Sequence, residues 1–284
     1  IDDFSYPYLL WKYPTAPKVV SGWLYSDTSA GKSIVLVDNG NKIGQTTTGE
    51  NGFYYFMMPF DTLLPGSNDL VFVSGDASVK ANHVSYVNTS EQVSGFNLID
   101  GLLQVSRNDA TNPLLPTEAL GAALGSLSGY ESDILYSVSG GNVTLNSDTL
   151  FNAGSAAGMR IDGSVTVTDY VLGLFSDGPV TQNAAASLTA ASLLLQGGGA
   201  FTLDASSNNI GTLAGRVGSV SLTDSQALTI GSVNGTDGLT ASGSVSLNLS
   251  NGLIQTSVAS LTAASLLLQG SGTFDLSTAT NHVS

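Results

Sequence analysis

Short runs in which apolar and small polar residues alternate dominate the second half of the chain. Examples are SVTVTD from Ser164, SVSLTD from Ser219 and SVSLNLS from Ser244, each followed by Gly, Asn, Asp or Ser within a few residues. Such alternation is typical of a half-buried β-strand, and the separating residues are turn formers. The pattern predicts many short strands from residue 140 onward, with these side chains pointing inward: Val220, Leu222, Val245, Leu247, Leu249, Leu266 and Leu268.

The segment ASLTAASLLLQ occurs twice, from Ala186 and again from Ala259, an offset of 73 residues. SLLLQG at Ser192 and Ser265 is interpreted as the same kind of segment as SVSLTD and SVSLNLS, so the offset divides into three turns averaging roughly 24 residues. Three strands in each turn indicate a triangular coil, and stacked coils of this kind form a parallel β-helix, or β-solenoid. The spacing predicts about six coils between residues 140 and 284.

The first ninety or so residues have a different pattern. They hold all five lysines, both tryptophans and longer strand-like runs such as VVSGWLYS and GFYYFMMP, joined by Asn-Gly and Gly-Ser turns. This pattern favours a compact antiparallel β-sandwich. We therefore predict an all-β chain with a sandwich over residues 1–95, a connector over 96–139 and a solenoid over 140–284.

The connector contains a short predicted helix. Thr117 is the expected N-cap, because it follows Pro116 and precedes a run of helix formers, although Gly121 and Gly125 lie within that run. The first coil of a solenoid would otherwise expose unpaired strand edges. We therefore expect the helix to cover that end.

The composition narrows the possible partners. Eight basic residues against 22 acidic ones give a formal net charge of -14, and only 11% of residues are charged. The acidic balance argues against nucleic acid or an anionic membrane surface, since both attract basic patches. A hydrophobic fraction of 42% is enough for a core and excludes a disordered acidic tail. The chain has no cysteine and no long apolar run, so we predict neither disulfides nor a membrane-spanning helix.

The segment SGWLYSDTSAGKSIVLVDNGNKIGQTTTGENGFYYFMMP resembles the carboxypeptidase regulatory-like family of small prealbumin-like β-sandwiches. The resemblance lies in the first strand, the loop at 27–31, the strand carrying 34–37 and the turn at 50–54. Domains of that family are spacers or binding modules. The resemblance implies no catalytic residues.

The duplicated SLTAASLLLQG, together with GSVSLTDSQALTIGSVNG and SGSVSLNLSNGLI, resembles the repeats of filamentous-haemagglutinin-type large exoproteins. These are adhesins that bacteria export by two-partner secretion, so the resemblance implies a right-handed parallel β-helix and an extracellular or cell-surface location. The family's secretion domain carries an Asn-Pro-Asn signature, whereas the Asn-Pro of this chain is Asn112-Pro113. We interpret the chain as an interior part of a longer exoprotein.

Parallel β-helices also carry polysaccharide lyases and hydrolases, so a glycan-active enzyme is an alternative. Such enzymes need a base or converging carboxylates, yet residues 140–284 contain no Lys and no Glu. Asp162 and Asp169, near Arg160, are the one candidate cluster, and a turn or a surface ion pair is the plainer interpretation. Asp204, Asp224 and Asp275 follow strands, where they are expected to cap turns. We predict no catalytic residues and no enzyme activity.

We also predict no metal site and no cofactor. His83 and His282 are far apart in the sequence, so each is expected to be a surface or half-buried residue. Calcium in the loop from Asp38 to Asn41 is left open as an alternative.

The N-terminal aromatic residues allow two interpretations. They form either a first strand that packs on the sandwich, or an arm that pairs with a neighbouring subunit or stacks on sugar rings. Under the second interpretation the binding residues are Phe4, Tyr6, Tyr8, Trp11 and Tyr13.

These observations together predict an adhesin-type structural protein, secreted or on the bacterial cell surface. A solenoid stalk would present the sandwich for adhesion or for contacts within a biofilm matrix. The expected partners are other copies, neighbouring coils of a longer chain, and glycans or surfaces. The first alternative is a self-assembling extracellular filament whose subunits join head to tail. The polysaccharide lyase or hydrolase is the second alternative.

Overall fold

The computed structural model describes residues 17–59, 66–87, 93–107, 111–154 and 157–284. These residues are almost entirely β, with one short helix and a β-solenoid of about nine turns. The strands that precede the helix are β1 (Lys18–Tyr25), β2 (Ser33–Asp38), β3 (Asn41–Thr47), β4 (Phe53–Met58), β5 (Ser67–Val73), β6 (Asn82–Val87), β7 (Val93–Ser94), β8 (Leu98–Ile99) and β9 (Leu102–Arg107).

Helix α1 (Pro116–Leu124) precedes a long series of short strands. In chain order these are β10 (Tyr136–Ser139), β11 (Asn142–Leu145), β12 (Asp148–Asn152), β13 (Met159–Ile161), β14 (Val165–Phe175), β15 (Val180–Gln182), β16 (Leu188–Gln196), β17 (Ala200–Leu203), β18 (Asn209–Val217), β19 (Ser219–Asp224), β20 (Leu228–Ile230), β21 (Ser232–Val233), β22 (Thr236–Asp237), β23 (Leu239–Ala241), β24 (Ser244–Leu249), β25 (Leu253–Gln255), β26 (Leu261–Ala263), β27 (Ser265–Gly270) and β28 (His282–Val283).

A β-sandwich forms the N-terminal part. One sheet has the order β4-β1-β7, with β8 also paired to β1, and the facing strands are β3, β2, β5 and β6 in that order. The core between them includes Val20, Leu36, Tyr54 and Val71. Tyr54 is fully buried, and its hydroxyl donates a hydrogen bond to the carbonyl oxygen of Phe96. This bond ties β4 to the segment that leads into β8.

The sandwich and the solenoid share a sheet. Strand β6 pairs in parallel with β9, β9 pairs with β12, and β12 pairs with β14, so hydrogen bonding is continuous into the coils. The outward face of the sandwich strands is also buried. Val35, Phe72, Val84 and Leu103 belong to the same hydrophobic core as the coil interiors.

Helix α1 lies at the end of this core, against β5, β6 and β13. Ala119, Leu120 and Ala123 are buried in it, as expected for a helix that covers the first coil. Thr117 as N-cap is wrong, because the helix already begins at Pro116 and Thr117 is buried in its first turn. Proline is favoured at the first helical position, where its missing N–H is no loss. Gly125 ends the helix with φ 45°.

Six strands stack in one face of the solenoid, in the order β13-β15-β17-β19-β24-β27. The aligned residues Met159, Val180, Phe201, Val220, Val245 and Leu266 place successive coils 19 to 25 residues apart. The prediction of about six coils was too low, since turns without the repeated motif, built from β9 and β12, stack in the larger sheet. The inward prediction is confirmed for Val220, Leu222, Val245, Leu247 and Leu249, whereas Leu266 and Leu268 are half-buried.

The two copies of ASLTAASLLLQ occupy different places in the coil. The first forms the single strand β16 in the larger sheet, whereas the second is divided between β26 in that sheet and β27 in the six-stranded face. Treating SLLLQG from Ser192 as equivalent to SVSLTD was therefore wrong. The hairpin β21–β22 lies between the two copies. Strand β18 pairs with β20, which precedes the hairpin, and with β23, which follows it.

The local structure of the repeat is nevertheless preserved. Asn208 Oδ1 accepts hydrogen bonds from Gln182 Nε2 at 2.7 Å and from the backbone N–H of Leu188 at 2.8 Å. Asn281 Oδ1 accepts the matching bonds from Gln255 Nε2 at 2.6 Å and from the backbone N–H of Leu261 at 2.7 Å. The duplicated segment is thus a structural unit of its own, whichever face it joins.

Candidate functional site

An exposed row of aromatic side chains runs across the outer sheet of the sandwich. The ring centroids of Trp23 and Phe53 lie 5.0 Å apart, and those of Phe53 and Tyr55 lie 6.2 Å apart with an interplanar angle of 29°. Trp23 is 40% exposed and Tyr55 is 42% exposed. We call Trp23, Phe53 and Tyr55 the aromatic row.

Strand alternation and register build the aromatic row. In β1 and β4 every second residue enters the sandwich core, so the residues between them point outward. Trp23 is the register partner of Phe53, and Ser21 is the partner of Tyr55, which puts all four on one face. Outward positions of an antiparallel sheet are usually polar. Here they carry rings, and Tyr25 and Met57 extend the apolar surface at 54% and 48% exposure.

The aromatic row is suited to flat, weakly polar ligands. Aromatic faces carry partial negative charge and attract C–H groups, such as those on the apolar side of a sugar ring. Ser21 and its neighbour Ser94, partners in the β1–β7 pair, supply hydroxyl groups beside the rings. The backbone N–H of Trp23 donates to Asn97 Oδ1 at 3.2 Å, which fixes the strand at this point. The sequence signal was the run GFYYFMMP, in which both faces of one strand are apolar.

The predicted aromatic arm of Phe4, Tyr6, Tyr8, Trp11 and Tyr13 lies outside the described residues. The candidate acidic cluster is described. Arg160 Nη2 lies 3.3 Å from Asp162 Oδ2 in an exposed ion pair. Asp169 is exposed at a corner of β14, and no hydrogen bond or ion pair between described residues joins it to Asp162. The arrangement is that of a surface ion pair.

The loop from Asp38 to Asn41 is a two-residue hairpin turn. Asn39 has φ 43° and Gly40 has φ 80°, the left-handed conformation that tight hairpins require. Asn39 Oδ1 accepts a hydrogen bond from the backbone N–H of Asn68 at 3.0 Å. Through this hydrogen bond the loop is attached to β5. Within the described ranges, no group of three or more acidic or histidine side chains is placed to bind a metal ion.

A half-open cavity of about 290 Å³ lies where the sandwich meets the solenoid, and His83 lines it. His83 Nδ1 lies 3.0 Å from the carbonyl oxygen of Asn97, and Nε2 lies 2.9 Å from Ser106 Oγ. Burial lowers the pKa of His83 to about 4, so the ring is neutral near pH 7. The expected surface or half-buried position is wrong for His83, which is 6% exposed, whereas His282 is exposed. Through these two contacts the ring bridges the segment that leads into β8 and strand β9.

The outer face of the six-stranded sheet carries stacked hydroxyl groups. Thr181, Thr202, Ser221 and Ser246 are successive register partners, one from each coil. Adjacent strands are separated by about 4.8 Å, so the hydroxyls repeat at that spacing along the solenoid. This face offers many equivalent weak hydrogen-bonding positions.

Comparison with protein-family models, with curated proteins and with solved structures finds no match to the chain. The stacked parallel coils are compatible with a β-helix adhesin. None of the helices among the described residues has the length and apolar character needed to cross a membrane.

Proposed function

We propose that the protein is an adhesin-type structural protein, secreted or on the bacterial cell surface, in which the solenoid is a stalk that presents the sandwich to glycans. The aromatic row carries this proposal, because it places three rings on an exposed face of the sandwich. The resemblance of the duplicated SLTAASLLLQG to filamentous-haemagglutinin-type repeats supports the same class of protein. The carboxypeptidase regulatory-like resemblance supports a binding module at the N-terminal end.

The shared sheet connects the sandwich rigidly to such a stalk. Backbone hydrogen bonds run without interruption from β6 through β9 and β12 into β14. A load on the sandwich is therefore carried by strand pairing and by a common core. A flexible linker would instead let the sandwich move independently of the stalk.

Charge indicates which glycans fit. A net charge of -14 repels uronic acids, sialic acids and sulfated sugars, at a range set by the ionic strength. Stacking on an uncharged sugar ring has no such penalty. We infer that the ligands are neutral polysaccharides, held weakly at each site and more firmly where many copies or many hydroxyl positions bind together.

Binding to insoluble cellulose and chitin tests the proposal. We expect the purified chain to sediment with at least one of them, and Trp23→Ala to weaken binding by up to about tenfold, since one aromatic contact contributes about 0.5 to 1.5 kcal/mol beyond its buried area. Tyr170→Ala is the matched control, because Tyr170 is 43% exposed on the solenoid, away from the aromatic row. Equal binding by Trp23→Ala and wild type, or no binding to any neutral polysaccharide, would contradict the proposal.

The filament alternative is favoured by one observation. Apolar side chains are exposed in the last coils: Ile254, Val258, Leu267 and Val283 are 45% to 65% exposed. The opposite end of the solenoid core is covered by α1 and by the sandwich sheet. This cover counts against a filament built by stacking the coils of one subunit on those of the next, because such stacking needs both ends of the solenoid open. Electron microscopy decides between the two, since ordered fibres would favour the filament and separate short rods would favour the stalk.

A further inference from the structure

Four side-chain oxygens at one end of the sandwich core are buried and receive no hydrogen bond from any described residue outside their own group. They are Asp38 Oδ1, both carboxylate oxygens of Asp69, and Ser67 Oγ. Asp69 is fully buried and Ser67 is 3% exposed. A buried carboxylate without a donor is costly, so buried oxygens of this kind call for a counter-ion or a proton.

Strand register brings these oxygens to one place. Asp38 on β2 is the register partner of Asp69 on β5, and directly opposed residues have Cβ atoms about 4.5 to 5.5 Å apart on the same face. Ser67 lies two residues before Asp69 on β5 and therefore shares that face. The preceding partners on the face, Leu36 and Val71, are in the sandwich core. The oxygens thus point between the two sheets.

The charges around the oxygens do not balance when both carboxyls are ionised. Lys18, at the start of β1 in the facing sheet, interacts with both carboxylates through space, and burial lowers its own pKa. Burial and the neighbouring Asp38 raise the pKa of Asp69 to about 8. Among the described residues, two carboxylates then face one ammonium group, which leaves a net negative charge beside the buried Asp69.

We propose that Asp38, Asp69 and Ser67 form a calcium-binding site inside the sandwich. Calcium accepts carboxylate and hydroxyl oxygens in flexible geometry with six to eight ligands, whereas magnesium requires a strict octahedron and keeps most of its water. Three residues supply up to five oxygens, and water or backbone carbonyls complete the shell. The site is independent of the aromatic row and of the proposed adhesion.

Thermal unfolding of the full chain in calcium, in magnesium and in EDTA tests this site. We expect about 10 mM calcium to raise Tm by on the order of 5 °C relative to EDTA, with a smaller effect of magnesium. Asp69→Asn should remove the calcium response while leaving the chain folded, because an amide has nearly the same shape as the carboxyl group but cannot supply a negatively charged ligand. The control Asp27→Asn changes an exposed carboxylate elsewhere in the sandwich and should respond like the wild type.

Calorimetric titration of calcium gives a second readout. The wild type should give a saturable binding heat with calcium, and Ser67→Ala should bind calcium more weakly. An unchanged Tm in calcium and EDTA, with no binding heat, would show that the cluster holds a proton only. A calcium response that survives in Asp69→Asn would equally overturn the assignment.

Discussion

The side chain of Asp224 joins two neighbouring coils of the solenoid by a hydrogen bond. It ends β19, is fully buried, and its Oδ1 accepts a hydrogen bond from the backbone N–H of Ile210 at 3.0 Å. Its other oxygen has no hydrogen-bond partner. Burial raises the pKa of this carboxyl from its ordinary value of 3.8 to about 6. The carboxyl therefore keeps its proton in the folded chain at a pH where the unfolded chain has lost it.

The raised pKa makes part of the stability depend on pH. Folding takes up a proton at Asp224, so this group adds stability below about pH 4 and loses that contribution as the pH rises through about 6. Asp224→Asn keeps an oxygen acceptor for Ile210 without the charge. We expect the variant to be more stable than the wild type at pH 7.5 and no more stable at pH 4.5, measured by urea unfolding at both values.

The comparison between variant and wild type isolates Asp224 from other carboxyls. Asp275, for example, has a lowered pKa because Ser277 donates hydrogen bonds to it, and its contribution falls as the pH is lowered. It is present in both proteins and cancels. If the difference in unfolding free energy between Asp224→Asn and the wild type were the same at both pH values, the pKa of Asp224 would not be raised in the folded chain.

These two aspartates show what the sequence predicts at the residue scale. Asp275 caps a turn, as expected for an aspartate that follows a strand. Asp224 has the same sequence signature but lies inside the strand ladder. The difference depends on which coil lies next to Ile210, and no local pattern contains that information.

At the scale of elements, the duplicated segment gives the clearest separation between local and global structure. Both copies place Leu-Thr-Ala in the larger sheet and are again strand at Ser-Leu-Leu-Leu, although the first copy is one continuous strand and the second is divided into two. Which sheet each strand joins depends on the neighbouring coil. Leu194 in the first copy is buried against Ala214 and Val233, whereas the equivalent Leu267 is 51% exposed. The strand pattern was predictable, and the cover supplied by the hairpin β21–β22 was not.

Equivalent substitutions in the two copies should therefore have different effects. Leu194→Ser removes a buried side chain and exposes the hairpin contact, so we expect a loss of about 2 kcal/mol in unfolding free energy. Leu267→Ser replaces an exposed side chain and should change stability by less than about 0.5 kcal/mol. Chemical denaturation of both variants measures the difference directly. Equal losses would mean that the two copies occupy equivalent positions after all.

For the whole molecule, composition suggested two separate parts, yet the structure joins them through one core. The lysines and aromatics do mark a sandwich, and the Ser- and Thr-rich remainder does form stacked coils. The missed signal lies in β2 and β5, whose runs SIVLVD and DLVFV are apolar at successive positions instead of alternating. A strand buried on both faces has this composition. Val35 and Phe72 face the solenoid core, while Leu36 and Val71 face the sandwich core.

A shared core predicts one cooperative unfolding transition for the whole chain. If the sandwich were cut away after residue 95, the faces carrying Val35, Phe72 and Val84 would be exposed to water, because β9, α1 and the coils cover them. We expect residues 1–95 alone to be unfolded or aggregated, and calorimetry of the full chain to show a single transition whose van't Hoff and calorimetric enthalpies agree. Two resolved transitions, or a soluble 1–95 fragment with well-dispersed amide resonances, would show that the sandwich is an independent domain.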